Sequence, residues 1–348
     1  MDIKTQYINN QWKEFILKND NGMSVSILNY GGIITKISVP DKNGKVENVV
    51  IGYKNYDDYK KDPNYFGAII GRVAGRVQDS SFTLEGETYK LDSNEGENHL
   101  HGGKHGLHQV IWEDNLCLEN SCVSVQLSHK SLEQSGYYPG NLEFTVTYTL
   151  NNQNELILDY TALSDKTTVL TLTNHSYFNL SGDLKDLILN HVVKINSSKF
   201  VELDNNLIPT GNILNVDKTP FDFRNFAYLN DNLKDSTNQT RICKNGYDHY
   251  FILDQHSEDN DIVVKEENSG RTLAIKTNQP GVVMYTGNNL EKGQILSERE
   301  SEKYLGMTFE TQSCPASLHH EGFPSVLLKS GELYNRQTIF AFGIENKC

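Results

Sequence analysis

Residues 142–150 read Leu-Glu-Phe-Thr-Val-Thr-Tyr-Thr-Leu, an unbroken alternation of apolar and polar side chains. Successive side chains of an extended strand point to opposite faces, so the pattern predicts a strand with one buried face. Four polar residues, Asn151–Asn154, follow, and an apolar-rich run resumes at Glu155–Tyr160. The segment therefore predicts an antiparallel hairpin.

Turn-forming residues punctuate the rest of the chain in the same way. They recur at Asp41–Gly44, Pro139-Gly140, Pro209–Gly211, Lys244–Gly246, Ser269-Gly270 and Pro280-Gly281. No amphipathic helix of a dozen residues is evident, and residues 56–61 form at most a short one. We expect an all-β fold, a large antiparallel β-sandwich, because stacked sheets bury apolar faces and limit exposed edges. With no linker or internal repeat, residues 1–348 are expected to form a single domain.

Composition narrows the class of partner. The 348 residues include 32 basic and 45 acidic side chains, a formal net charge of −13, which repels nucleic acid and anionic lipid surfaces. We therefore expect a small neutral ligand, with no nucleic-acid and no membrane partner. No apolar run approaches the roughly 20 residues of a spanning helix, and the amino terminus lacks a signal-peptide pattern, so a cytoplasmic location is expected.

The five cysteines are odd in number and lack metal-type spacing, which predicts neither a disulfide framework nor a zinc site. They are Cys117, Cys122, Cys243, Cys314 and Cys348. We expect reduced thiols.

Residues 98–108 concentrate four of the eleven histidines, which raises the question of a metal site. An HxH pair on a strand, such as His99 and His101, places both rings on one side, and a nearby carboxylate would complete a ligand set. The next acid is Glu113, so no metal is expected; the alternative is histidines hydrogen-bonded within a glycine-rich turn. Gly102-Gly103 permits close approach of a ligand, which favours a role for His101.

A second candidate lies in the segment Thr171–Leu180. Alternation places Thr171, Thr173 and His175 opposite Leu170 and Leu172, so the imidazole shares a polar face on which a histidine can be solvated and titratable. The alternative is a hydrogen-bonded polar residue at a strand end.

The third candidate is Met307–Gln312. As a strand it would direct Met307 and Phe309 to the core and Glu310 to the other side, where an aromatic environment can perturb a carboxylate pKa. Taken alone, such a residue is more often an ordinary surface glutamate.

Two further segments join polar and charged groups: Gly71–Val77, with Arg72 and Arg76, and Gly246–Tyr250, with Asp248 between tyrosines. Each is more often structural than functional when considered singly. Taken together with the three candidate segments, their order along the chain and their residue types do not look accidental.

Together these segments resemble the aldose 1-epimerase (galactose mutarotase) family along nearly the whole chain. The matching segments, in family order, are residues 29–32, 71–76, 98–103, 173–180, 247–249, 279–281 and 309–312. The resemblance implies a galactose mutarotase-like supersandwich with a sugar cleft on one face. It also implies interconversion of the α and β anomers of free aldohexoses such as D-galactose and D-glucose, with no cofactor and no metal.

The resemblance further implies individual roles. These are Glu310 as catalytic base, His175 as catalytic acid, and Arg76, His101, Asp248 and Gln279 as substrate-binding residues. Gly75 departs from members that carry asparagine there, which puts one polar contact in question. Two alternatives stay open, an enzyme for hexose 6-phosphates and a non-catalytic sugar-binding protein. A monomer or homodimer is expected, and the preferred aldose is left open.

The chemistry requires one base and one acid. The base removes the proton of the C1 hydroxyl while the acid protonates the ring oxygen, and the roles reverse when the ring closes. Ordinary pKa values near 4.3 and 6.5 leave the glutamate ready as base at neutral pH, whereas the histidine must be held protonated. A nearby carboxylate such as Asp248 or Glu310 is expected to favour the imidazolium.

Overall fold

The computed structural model describes residues 1–119, 121–133, 136–254 and 260–345, so Cys348 lies outside the described residues. The predicted hairpin lies within the largest sheet, where Leu142–Asn151 pairs antiparallel with Glu155–Ser164. The apolar residues of the first strand, Leu142, Phe144, Val146, Tyr148 and Leu150, are all buried. The prediction from alternation is therefore confirmed.

Three large sheets make up most of the structure, and every pairing between their strands is antiparallel. The largest has nine strands, in spatial order Glu113–Leu118, Cys122–Ser131, Leu142–Asn151, Glu155–Ser164, Leu333–Ile344, Arg271–Thr277, Ile262–Lys265, Val192–Ile195 and Ala227–Tyr228. The second has six, in order Tyr177–Phe178, Met307–Gln312, Gly281–Tyr285, Asp248–Ile252, Lys199–Leu203 and Pro209–Asn215. The third is a five-stranded meander of Asp2–Tyr7, Lys13–Lys18, Ser24–Leu28, Ile34–Pro40 and Val46–Asn48.

Smaller elements connect these sheets. Four short pairs join Arg76–Val77 with His99–Leu100, Ile69–Ile70 with Thr173–Asn174, Thr168–Val169 with Leu327–Leu328, and Ser81–Leu84 with Glu87–Lys90. The α-helices are Leu229–Lys234 and Asn238–Ile242; the 3₁₀ turns are Tyr56–Lys61, Gln78–Ser80, Gly103–His105, Leu107–Gln109, Ile188–Asn190 and Pro315–Leu318. The two α-helices were not predicted from the sequence, because each is too short to show a helical period.

One continuous hydrophobic cluster contains buried side chains from all three large sheets. Phe178 of the six-stranded sheet, for example, lies with its ring centroid 5.3 Å from that of Phe340 in the nine-stranded sheet. A buried ion pair, Arg271 Nη2 to Glu47 Oε2 at 2.9 Å, joins the nine-stranded and five-stranded sheets. The predicted mostly antiparallel β fold is confirmed; the single-domain organisation stays a prediction.

Among the described residues, none of the helices combines the length and the apolar character that crossing a membrane would require.

Candidate active site

The six-stranded sheet presents one face to a cavity. Its register pairs Asp248 with Tyr285 and Tyr285 with Thr308, while Val283 pairs with Glu310. Residues two apart on a strand share a face, so Asp248, Tyr285 and Glu310 all point to the same side. The alternation predicted for Met307–Gln312 is present, but the second face is the buried wall of the cavity, and all six residues are buried.

His175 lies between two short strands, Thr173–Asn174 and Tyr177–Phe178. Its backbone N–H donates to the Ala68 carbonyl at 2.9 Å, and its own carbonyl accepts from Gly67 N–H at 3.0 Å. These two bonds fix the backbone of His175. Its ring is buried rather than exposed to solvent as its polar strand face had suggested.

The His175 and Glu310 side chains meet in the cavity. Nε2 of His175 lies 3.3 Å from Oε1 of Glu310, and the two side chains are only 5% and 4% exposed. Thr308 donates its hydroxyl to the same carboxylate oxygen at 3.1 Å, which orients the carboxylate. An imidazole and a carboxylate at this separation can share or exchange a proton.

Burial controls the protonation of this pair. The expectation from the sequence that a nearby carboxylate favours the imidazolium of His175 is wrong. Desolvation lowers the pKa of His175 to about 3. Desolvation, aided by the Asp248 carboxylate, raises the pKa of Glu310 to about 8. Both shifts favour the neutral forms, so burial places the single proton of the pair on Glu310 and does not favour the imidazolium.

Arg76 is held by two carboxylates at the side of the cavity. Its Nε and Nη2 atoms donate to Glu95 Oε2 and Oε1 at 2.7 and 2.8 Å, a bidentate pair, and Nη1 lies 3.4 Å from Asp248 Oδ2. Burial raises the pKa of Asp248, while Arg76 opposes that rise. The bidentate pair orients the guanidinium so that its remaining N–H groups and Asp248 can serve as donors and acceptor for hydroxyls.

Gly75 and His101 hold one another through reciprocal bonds. The His101 N–H donates to the Gly75 carbonyl at 3.1 Å, and Gly75 N–H donates to His101 Nδ1 at 3.2 Å. Since Nδ1 accepts, the neutral ring carries its proton on Nε2 and is a hydrogen-bond donor there. Gly75 has φ of 88°, in the left-handed region, where a glycine or an asparagine is accommodated.

The structure does not bring Gln279 to the cavity. It is fully buried, and its Nε2 atom donates to the Leu172 carbonyl at 3.1 Å and lies 3.3 Å from the Tyr334 hydroxyl. Its amide nitrogen is thus occupied by the protein interior rather than by a ligand.

Of the four clustered histidines, only His101 lines the cavity. His99 is buried, with Nδ1 2.7 Å from the Asp92 carbonyl and Nε2 2.7 Å from the Tyr138 hydroxyl, the structural role considered above. His105 is exposed.

Tyr65 is a cavity residue that the sequence did not single out. Its ring packs edge-on against His101 and His108, with centroids 4.8 and 4.9 Å away, and lies 5.8 Å from the ring of His175. Its φ of 57° is unusual for a tyrosine. The neighbouring Asp62 carboxylate fixes this turn by accepting from the Asn64 and Phe66 N–H groups at 2.8 and 2.6 Å.

We expect Tyr65→Ala to lower kcat/KM for the reaction proposed below by about 10- to 100-fold, since aromatic contacts are worth roughly 0.5–1.5 kcal/mol each. Tyr65→Phe keeps the ring and is the matched control, expected within a few-fold of the parent. Steady-state kinetics of the two variants measure this difference. Equal losses in both would assign the effect to the hydroxyl instead of the ring.

The remaining cavity wall suits a small polar ring. The cavity volume is about 180 Å³, and Tyr65, Tyr177, Tyr250 and Tyr285 contribute to its lining. This is below the roughly 300–1,000 Å³ of pockets for drug-sized ligands, so it fits a ligand of about a dozen heavy atoms. Aromatic faces cover the apolar side of such a ring while the charged groups bind its hydroxyls.

Among the described residues, His101, His175 and Glu310 form the one group with metal-ligand types close together, their ligand atoms all within 4.8 Å of one another. Two imidazoles and a carboxylate are ligands that zinc accepts. The same three groups also suit proton transfer and hydrogen bonding to a sugar, and that use requires no metal.

Comparison with known proteins gives the context for this cavity. The family profile described as "Aldose 1-epimerase" matches residues 13–341. The galactose mutarotase of Sus scrofa is 39% identical over 335 residues, covering 95% of this chain and 94% of that protein. A protein of Levilactobacillus brevis named maltose epimerase is 32% identical over 320 residues, covering 92% of this chain and 91% of that protein.

A solved aldose epimerase homologue from C. elegans superposes with a TM-score of 0.87 at 29% identity, covering 99% of this chain and 100% of that one. The sequence match extends through the strand that carries Glu310 and the segment that carries His175. The chain therefore belongs to the aldose 1-epimerase family of carbohydrate isomerases.

Proposed function

We propose that this member of the aldose 1-epimerase family interconverts the α and β anomers of free aldohexoses such as D-galactose and D-glucose, with Glu310 as base and His175 as acid. The observation that supports this most directly is the 3.3 Å separation of His175 Nε2 and Glu310 Oε1 inside a buried cavity. Both oxygens that exchange protons are bonded to the same carbon, C1. An acid and a base that serve them must therefore lie close together.

In the proposed reaction Glu310 takes the proton from the C1 hydroxyl and His175 gives a proton to the ring oxygen. The bond between C1 and the ring oxygen breaks, which leaves an open-chain aldehyde. Rotation about the C1–C2 bond presents the other face of the aldehyde. The ring then closes as His175 takes back the proton of the C5 hydroxyl and Glu310 returns its proton to O1.

The number of protons used in this cycle is consistent with the protonation that burial favours for His175 and Glu310. The pair carries one proton throughout, on His175 when the cyclic sugar reacts and on Glu310 when the aldehyde is present. Burial favours the second arrangement, which is the one that accompanies the open-chain intermediate. Hydrogen bonds from the sugar hydroxyl to the ionised carboxylate favour the first.

We assign Arg76, His101 and Asp248 to positioning the sugar. Arg76 and neutral His101 donate to sugar oxygens, and Asp248 accepts from hydroxyls. Such contacts hold C1 at the acid/base pair, which lowers the entropic cost of reaching the transition state.

The charge of the cavity argues against a hexose 6-phosphate substrate. Within the described cavity lining, Arg76 is the single lysine or arginine, and Glu95 and Asp248 already neutralise it. A neutral aldose is consequently the better match, and the cytoplasmic location stays a prediction from the sequence.

Polarimetry tests the proposal. Freshly dissolved α-D-galactose and α-D-glucose should reach their equilibrium rotation faster in proportion to the protein concentration, and glucose 6-phosphate should respond far less. Calorimetric binding of these sugars without faster mutarotation would favour the non-catalytic alternative. A larger effect on the phosphorylated sugar would favour the hexose 6-phosphate alternative.

A further inference from the structure

The strand that ends at Leu203 and the strand that begins at Asp248 separate at the wall of the cavity. They are paired at Phe200 and Phe251, and the same register would place Leu203 opposite Asp248. Among the described residues, however, this pairing ends at Phe200 and Phe251. Leu203 and Asp248 both line the cavity, so their backbone groups need other partners at the point where the sheet opens.

Two buried side chains supply these partners. Gln239, in the short helix Asn238–Ile242, accepts from the Leu203 N–H with Oε1 at 2.9 Å and donates from Nε2 to the Leu203 carbonyl at 2.8 Å. His249 accepts from the Asp248 N–H with Nδ1 at 3.2 Å, and its Nε2 lies 3.2 Å from Gln239 Oε1. Gln239 and His249 therefore form a continuous chain of hydrogen bonds from Leu203 to Asp248, the Gln239–His249 bridge.

The bridge specifies a single protonation state of His249. Because Nδ1 accepts from the Asp248 N–H, the neutral ring carries its proton on Nε2 and donates it to Gln239. The Cys243 thiol, a weak donor, lies 3.9 Å from the same Nδ1 atom. Burial lowers the pKa of His249 to about 3, which keeps the ring neutral. The donors and acceptors of the bridge are thus matched.

The bridge joins the backbone of Asp248 to the hydrophobic core. The ring of His249 packs edge-on against Phe221 and Phe200, with centroids 4.7 and 5.9 Å away. Successive residues of a strand point to opposite faces, so the Asp248 carboxylate projects to the cavity while the His249 ring lies behind it. Asp248 Oδ2 is 3.4 Å from Arg76 Nη1, and a shift of the Asp248 backbone would change this separation.

We propose that His249 and Gln239 are positioning residues that hold the Asp248 carboxylate in place for binding the sugar. Neither is among the described residues of the cavity lining, so they act on the sugar through Asp248. A binding group that is ordered in advance reduces the entropic cost of binding. This inference rests on the proposed function, because that function assigns Asp248 to the sugar hydroxyls.

His249→Phe is the first test, because it keeps an aromatic ring in the core and removes both ring nitrogens. The Asp248 N–H then loses its acceptor. We expect KM for α-D-galactose and the calorimetric Kd of galactose to rise about tenfold, with kcat changed by no more than a few-fold. His191→Phe is the matched control: His191 is also buried, and its Nε2 accepts from the Leu180 N–H at 2.9 Å, outside the cavity lining. It should keep the KM and Kd of the parent.

Gln239→Met is the second variant, because methionine has a similar length and offers no amide to His249 or Leu203. It should raise KM and Kd in the same direction. A double-mutant cycle distinguishes positioning from a general loss of stability. In an Asp248→Asn background, His249→Phe should lower kcat/KM by less than about twofold, because both substitutions act on the same carboxylate. Thermal unfolding measures whether each variant is folded.

Three results would overturn the positioning role and leave the proposed function intact. The first is parent-like KM and Kd in folded His249→Phe and Gln239→Met. The second is an equal loss of kcat/KM from His249→Phe with and without the Asp248 carboxylate. The third is failure of both variants to fold, which would make the bridge a purely structural element. Absence of faster mutarotation in the parent protein would instead overturn the proposed function, while the galactose Kd values would still test the bridge.

Discussion

Replacement of Glu310 by glutamine is expected to lower kcat/KM for anomer interconversion by about 10²–10⁴-fold, or roughly 3–5 kcal/mol of barrier. Glutamine has nearly the same shape and can still accept the Thr308 hydroxyl bond of 3.1 Å, but it cannot take a proton from the C1 hydroxyl. The loss should therefore appear mainly in kcat. Polarimetric progress curves over a range of sugar concentrations measure kcat and KM separately.

The pH dependence of kcat/KM is a second test of the role of Glu310. The active pair holds one proton. It keeps that proton between the lowered pKa of His175, about 3, and the raised pKa of Glu310, about 8. In the parent protein kcat/KM should be nearly constant across mildly acidic and neutral pH. It should fall as the pH rises through about 8, where the pair loses its proton. Glu310→Gln should remove this alkaline limb from the residual activity.

Glu298→Gln supplies the matched control. Glu298 is partly buried and its Oε1 atom accepts from Asn48 at 2.9 Å, outside the cavity, so the same chemical change occurs there without touching the sugar. We expect its kinetics to match those of the parent. Parent-like activity in Glu310→Gln would exclude Glu310 as the base.

The sequence predicted the fold well where one face of a strand is polar and the other apolar. Residues 142–150 are such a strand, so the period-2 pattern identified both the element and its buried face. The same reasoning misjudged the surroundings of Glu310 and His175. Their polar face is directed into a cavity, and alternation cannot distinguish a cavity wall from a solvent-exposed surface.

Other features of the site depend on contacts between distant loops. Glu95 forms the bidentate partner of Arg76, and Tyr65 packs against histidines more than 30 positions away, yet neither residue belongs to a local pattern. The lowered pKa of His175 has the same origin, because it results from complete burial by several elements rather than from its sequence neighbours. Family resemblance indicated His175 and Glu310, while their protonation required the structure.

Replacement of His175 by asparagine is the second change with a large expected effect. Asparagine can hydrogen-bond to Glu310 but cannot donate a proton to the ring oxygen as a general acid. We expect kcat to fall by about 10²–10⁴-fold. KM should change much less, because the proposed sugar-binding groups Arg76, His101 and Asp248 remain.

The fold must be monitored in this variant, since the ring of His175 contacts those of His101 and Tyr177 with centroids 5.2 Å away in both cases. Far-UV circular dichroism and thermal unfolding measure whether the variant stays folded, and calorimetric titration with galactose measures whether it still binds sugar. His129→Asn, which alters a half-buried histidine next to Trp112 outside the cavity, is the matched control and should keep parent-like kinetics. A folded, sugar-binding His175→Asn protein with parent-like kcat would remove His175 from the acid role. Loss of activity only together with loss of the fold would make it a structural residue, because an acid catalyst can be deleted without unfolding the sheet that supports it.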